Sequence, residues 1–439
     1  MTISVDPPTV PADATSVATV TVKLRNPETG QPWSGQQVLL KSSGKGDRFS
    51  FVKSTTNDDG VLTATMTSTA AESKTVTAEV GGYYNSATVE FTACKSASFV
   101  PVPPTALELS PAGTIAADFN LDGMSDIAFV SGKSIGVALG NSDGRFRNVV
   151  GYVAGVNLFG IALGDFNKDG KPDVAVSTFD AAGGNTVLSV LLGKGDGKFD
   201  RLVDYAVGPN VRLLDTADYN NDGNLDLVAI TNNATVNVFL GNGNGTLQSG
   251  IDAPGGTTPV AVMSGDFNTD KKLDLAVIAE NGVRILLGSG DGKFQAASTY
   301  AADGFNNNGV VADFNGDHRL DLAVADQGGS KVSVLLGNGN GTFGTAVPYP
   351  VGGIPFVVTA DLDGDGKLDL LTSNSEQSDI SLLSGKGDGT FQAATKYLGM
   401  DIPSPGRPLA ADFNGDGKMD LAVPNANNVY LVLRTACTR

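Results

Sequence analysis

Aspartate dominates the residues able to do chemistry, and it recurs in a nine-residue frame written seven times. The first copy runs Asp118-Phe119-Asn120-Leu121-Asp122-Gly123-Met124-Ser125-Asp126, and later copies open at Asp165, Asp218, Asp266, Asp313, Asp361 and Asp412. Oxygen-bearing side chains stand at positions 1, 3, 5 and 9. They are Asp118, Asn120, Asp122 and Asp126; Asp165, Asn167, Asp169 and Asp173; Asp218, Asn220, Asp222 and Asp226; Asp266, Asn268, Asp270 and Asp274; Asp313, Asn315, Asp317 and Asp321; Asp361, Asp363, Asp365 and Asp369; Asp412, Asn414, Asp416 and Asp420. Alternate residues on a tight turn can converge on one point, which is what a hard cation taking six to eight oxygens needs, so each frame reads as a calcium loop. The backbone carbonyl of position 7 completes the sphere, from Met124, Lys171, Asn224, Lys272, Arg319, Lys367 or Lys418. Up to seven Ca²⁺ are expected, one per loop.

Position 6 is Gly123, Gly170, Gly223, Gly366 and Gly417 in five loops, as a sharp left-handed bend requires. Lys271 and His318 replace it in the other two, and weaker or empty sites are expected there. An EF-hand opens with the same residues but needs Glu at position 12, where this chain has Phe129, Val176, Ala229, Val277, Val324, Thr372 and Val423. The flanking sequence is also strand-like. Bound calcium fits the charge balance, because seven ions would bring a formal charge of −17 to near −3.

Other chemistries fare poorly. His318 is the only histidine and lies inside a loop, which excludes Ser-His-Asp and Cys-His catalysis. The carboxylate clusters are absorbed by metal ligation, which leaves a polysaccharide-active enzyme as the alternative to a non-catalytic protein. The net negative charge disfavours nucleic acid and anionic membranes as partners. No apolar run is long enough to span a bilayer. The Lys-Gly-Asp triplets at Lys194 and Lys386 read as hairpin turns, and that at Lys45 as a loop. Trp33 reads as a packed core residue. Tyr152, Tyr205, Tyr300, Tyr349 and Tyr397 follow at a regular distance the aromatic residues that close hairpins, a pattern that points to packing between repeats.

The loops start 47, 53, 48, 47, 48 and 51 residues apart, a period that fits the four-stranded blade of a β-propeller. In the fifth repeat, Val310-Val311-Ala312 enters the Asp313 loop, Leu322-Ala323-Val324 leaves it, and Val332 to Leu336 leads to a Gly-Asn-Gly-Asn-Gly hairpin closed by Phe343. Phe99 lies 19 residues before Asp118, the same offset as Phe146 to Asp165, yet no blade precedes it. The last repeat, conversely, ends before its outer strand. A seven-bladed propeller is therefore expected over residues 95–439, its last blade completed by the N-terminal outer strand after Phe99. Cys94 and Cys437 map to that same interrupted hairpin and are expected to form a disulfide. The chain-entropy model gives about 5 to 6 kcal/mol for so long a loop, as an upper bound. Such a bond points to an extracellular or periplasmic setting.

Residues 1–94 read as a separate all-β sandwich of roughly seven strands, with Ala18, Val20, Val22 and Leu24 alternating with polar residues, as do Val76, Ala78 and Val80, and Val89 with Phe91. The start, Met1-Thr2-Ile3-Ser4, is unlike a signal peptide, so either a leader was removed or the chain is a piece of a longer one.

Asp-Phe-Asn-Gly-Asp-Gly-Lys-x-Asp-Leu, followed by Leu-Leu-Gly-Asn-Gly-x-Gly-Thr-Phe, resembles the FG-GAP or VCBS repeat over residues 95–439. Integrin α-subunit heads and a fungal propeller lectin are similar in architecture. The resemblance implies a calcium-stabilised platform, secreted or at a bacterial cell surface, for adhesion or glycan recognition. Its partner would be a glycan or an extracellular protein, and a monomer is expected. Pro32-Trp33-Ser34-Gly35, Asn57-Asp58-Asp59-Gly60-Val61 and Thr75-Val76-Thr77-Ala78 resemble bacterial Ig-like domains of the invasin and intimin type, which implies a spacer role for residues 1–94.

Overall fold

A computed structural model describes the chain except residues 13–15, 45–46, 52, 69–70, 93–98, 108–110, 148, 154–157, 179–185, 208–210, 212–213, 232–234, 257, 280–281, 302–305, 327, 354, 397–401 and 435–439. The described residues form strands, turns and bends, with no helix. Two compact units divide the chain: residues 1–100 with 361–367 and 434–439, and residues 101–360 with 368–433.

In the first unit, two four-stranded sheets face each other across an apolar core. One sheet has the order Thr2–Asp6, Ala18–Lys23, Val61–Ser68, Asp47–Phe51, and the other Thr9–Pro11, Tyr83–Thr92, Ser73–Val80, Leu39–Ser42. The alternation in sequence carries over directly. Ala18, Val20 and Val22 are buried with Val76, Ala78, Val80, Val89 and Phe91, while Trp33 packs against that core partly buried. Lys74 breaks the apolar rule. Its side chain is fully buried, with Nζ 2.6 Å from Asp47 and 2.9 Å from Glu72, so the charge taken out of water is met by two carboxylates. The Asn57 turn closes through its own side chain, whose Oδ1 accepts the Val61 N–H at 2.8 Å.

The second unit repeats one antiparallel four-stranded sheet. The fifth copy follows the expected course as Asn306–Ala312, Asp321–Asp326, Lys331–Leu335 and Val347–Pro350, paired in chain order. Second strands such as Asp321–Asp326 are buried throughout, an apolar Leu322-Ala323-Val324-Ala325 run between two buried aspartates. First strands of the seven sheets pack each against the next, and Leu409–Ala411 packs against both Pro355–Ala360 and Gly113–Ala117. The sheet of Leu409–Ala411, Asp420–Pro424 and Asn428–Arg434 gains Thr105–Ala106 from the other end of the repeats, with Thr105 opposite Val429 and Ala106 opposite Asn428. Just upstream, the Val102 N–H donates to the Leu431 carbonyl at 2.9 Å. The outer strand supplied ahead of the first loop therefore pairs where counting placed it.

Aromatic residues bridge neighbouring sheets, as their spacing suggested. Tyr300 accepts the Phe343 N–H at its hydroxyl oxygen at 2.9 Å and meets the Phe343 ring edge-on at 5.5 Å. Tyr349 treats Phe391 in the same way, and Tyr205 accepts the Leu247 N–H at 2.8 Å. Tyr397 lies outside the described residues. The turns after Lys194 and Lys386 are hairpins, with Lys194 N–H donating to the Lys198 carbonyl and Lys386 N–H to that of Thr390. Lys45, Cys94 and Cys437 also fall outside the described residues.

Candidate metal-binding loops

Each Asp loop joins the first strand of a sheet to the second, and position 9 is the first residue of that second strand: Asp126, Asp173, Asp226, Asp274, Asp321, Asp369 and Asp420. The turn is held by its own carboxylates. In the first loop the Asp122 N–H donates to Asp118 Oδ1 at 3.0 Å and the Gly123 N–H to Asp118 Oδ2 at 2.7 Å. Asn120 Oδ1 accepts the Asp122 N–H and Asp122 Oδ1 the Met124 N–H, each at 3.0 Å. The loops at Asp165, Asp218, Asp266, Asp313 and Asp412 repeat the pattern. Folding the turn thus points oxygens of positions 1, 3 and 5 inward before any cation arrives.

Lys271 and His318 adopt the left-handed conformation of the glycines they replace, with φ of 66° and 64°. Their N–H groups donate to Asp266 Oδ2 and Asp313 Oδ2 at 2.8 Å, the bond Gly123 makes in the first loop. Both loops therefore keep the frame of the others, at the cost of placing a side chain in a region that L-residues avoid. A second left-handed residue was not foreseen. Position 4 has φ near 60° at Leu121, Lys168, Asn221 and Thr269, and Gly316, Gly364 and Gly415 stand there in the remaining loops. Those three glycines were the available sequence signal.

Position 9 carries a role beyond ligation. Asp126 is fully buried; its Oδ2 accepts the Phe119 N–H at 2.9 Å and its Oδ1 the Gly140 N–H at 2.7 Å. The same pair of bonds is made by Asp173, Asp226, Asp274 and Asp321. One carboxylate thereby ties the start of its loop to the far end of the third strand. Burial, opposed by these N–H groups and reinforced by the other loop aspartates, lifts Asp126, Asp173, Asp226 and Asp274 each to about 6. Such values describe the metal-free turn, in which anionic groups are crowded and partly desolvated.

The loops differ in how far they are gathered. Among the described residues, one set of three carboxylates, Asp361, Asp363 and Asp369, brings its oxygens within 4.8 Å of one another. This is the loop with Asp in place of Asn at position 3. Its Asp363 is lifted to about 6 by burial and by Asp365, against the pull of Arg434. The position 7 side chain reaches position 5 in this loop as in others: Lys367 Nζ lies 2.7 Å from Asp365, Lys171 Nζ 3.2 Å from Asp169, Lys418 Nζ 3.5 Å from Asp416 and Arg319 Nη1 3.6 Å from Asp317. The donor set, all oxygen and mostly anionic, suits a hard divalent cation, and the sixth loop suits it in geometry as well.

Five spans match the model of the FG-GAP-like repeat: 118–176, 218–277, 266–324, 313–372 and 361–423, together more than half of the chain. The chain belongs to the FG-GAP-like repeat family. Residues 1–94 match the model of invasin domain 3. No curated protein matches the chain. Among solved structures, BBS1N in complex with ARL6DN is similar in two crystals, soaked with lead or mercury, at TM-scores of 0.52 and 0.53 and 11% identity. These matches cover 78% and 77% of this chain and 99% and 98% of theirs, and they speak to fold alone. A lectin from Agrocybe aegerita, described as recognising non-reducing terminal N-acetylglucosamine, matches at 18% identity, covering 80% of this chain and 93% of its own. Its TM-score of 0.48 is too low to argue from.

Proposed function

We propose that the chain is a calcium-stabilised, non-catalytic recognition module of a secreted or cell-surface protein. Residues 95–439 form a seven-bladed propeller closed on itself, and the Ig-like residues 1–94 act as a spacer. The closed ring is supported by seven sheets whose first strands pack in sequence, the last against the first, and by the strand shared between the two ends. The recurring Asp turn carries the calcium reading, with oxygens inward in every copy and three carboxylates converging in the sixth. The donors would be the side chains of positions 1, 3, 5 and 9 with the position 7 carbonyl. A bound divalent cation supplies positive charge that relieves repulsion among these carboxylates, so the metal acts on stability.

The ligand is a glycan or an extracellular protein bound by a monomer. Invasin-type and FG-GAP-like modules in tandem support the surface setting, and no helix of the described residues is long and apolar enough to cross a membrane. The test is a glycan and extracellular-protein array probed with the full chain in calcium and in EDTA. Saturable, calcium-dependent binding to one ligand class is expected. Turnover of a polysaccharide would contradict the non-catalytic assignment.

A further inference from the structure

At the ends of the first strands remote from the Asp loops, a cavity of about 430 Å³ opens among Gly113, Phe159, Asn308, Phe356, Arg407 and Asn425, with others. Its location follows from chain direction. Gly113, Phe159, Asn308 and Phe356 lie at or near the start of their strands, and the loops follow the other end.

The polar groups of the wall are mostly engaged. Asn308 spends its amide on Val357, Nδ2 donating to the carbonyl at 2.9 Å and Oδ1 accepting the N–H at 3.1 Å. Asn425 donates to the Pro403 carbonyl and accepts from the Asn427 and Asn428 N–H groups. Arg407 differs. Its side chain is exposed, and among the described residues its guanidinium has no hydrogen bond and no ion pair within 4.0 Å. Asp215 reaches it only through the longer-range field, and the surrounding protein lowers its basicity. The residue before it is held by its backbone: the Gly406 N–H donates to the Pro424 carbonyl at 2.7 Å and the Gly406 carbonyl accepts the Ser373 hydroxyl at 2.6 Å. A cationic fork with no partner among the described residues, lining a cavity, has the chemistry of a carboxylate receptor. Phe159, 43% exposed, adds an aromatic face suited to the C–H side of a sugar ring. The volume is within the range of small-ligand sites.

We propose that this cavity binds an acidic sugar, its carboxylate on Arg407 and its ring against Phe159. The assignment deepens the recognition reading above and rests on it for the ligand class. The test titrates the full chain, in calcium, with glucuronate, glucose and acetate by calorimetry, for the wild type and for Arg407→Gln, Arg407→Lys and Phe159→Ala. Glucuronate is expected to bind at least about tenfold more tightly than glucose or acetate, and Arg407→Gln to lose at least about tenfold of that affinity with an unchanged melting temperature. Should Arg407→Gln fold poorly, Arg407→Lys, which keeps the charge without the fork, is expected to weaken binding while remaining folded. Absence of saturable glucuronate binding, equal binding of glucose, or a folded Arg407→Gln that binds as the wild type would overturn the proposal. If glucuronate fails while an array ligand still binds, the recognition reading stands and this site falls.

Discussion

Asp321 accepts the Phe314 N–H at 2.9 Å and the Gly337 N–H at 2.7 Å, so both of its oxygens face backbone donors. Asp321→Asn would turn an amide NH₂ toward one of those donors, leaving a buried N–H unpaired at about 1–3 kcal/mol. The loss is expected even in EDTA and is read as a lower melting temperature; an unchanged melt in EDTA would reduce position 9 to a ligand alone. Titration gives a second expectation. Asp126, Asp173, Asp226 and Asp274 rise from 3.8 to about 6, so the folded metal-free chain holds their protons more tightly than the unfolded one. Their contribution is complete below the unfolded value and disappears as pH climbs through about 6, so the metal-free protein loses stability from these groups over that window. Calcium needs the ionised forms, and with it present the trend should reverse. Melting in EDTA at pH 4.5, 5.5 and 6.5 checks this, and a steady rise across the series would contradict it.

At the scale of the element, alternation and period made most of the architecture legible. The buried faces of Ala18–Lys23 and Ser73–Val80, the four strands per repeat and the tyrosine spacing all came directly from side-chain periodicity. Features set by backbone conformation were harder to see. Position 4 is left-handed at Leu121 and Lys168, residues with no such preference, because the cage of hydrogen bonds around position 1 fixes the turn. Residue type gives only part of how closely carboxylates gather: the gathered set includes Asp363, where the other loops have Asn, and the rest depends on rotamers. Arg407 lies in no motif; only the folded chain brings it to a cavity. The tyrosine bridge yields its own expectation. Tyr300→Phe keeps the ring against Phe343 but removes the acceptor of its N–H, at a cost of about 1 kcal/mol. A urea midpoint shift of that size, with calcium saturating, is the check, and no shift would mean that water replaces the hydroxyl without loss.

For the molecule as a whole, the two ends of the repeat array meet in one sheet, Thr105–Ala106 beside Asn428–Arg434. Cys94 and Cys437 flank that sheet in sequence, and the expected disulfide would clamp it. Intact-mass analysis should show the chain lighter by two hydrogens before reduction, and reduction should lower the melting temperature; free thiols at both residues would remove the clamp. Calcium should matter more, since each site stabilises by about 2.7 kcal/mol when the free ion is a hundredfold above its Kd. The most direct measurement is calorimetric titration of Ca²⁺ into the EDTA-stripped chain, paired with melting at each point. Saturable binding of several ions, up to seven, with a melting temperature that climbs as they bind and falls again on chelation, is the predicted result. Heat of dilution alone, with one melting temperature in calcium and in EDTA, would contradict the account.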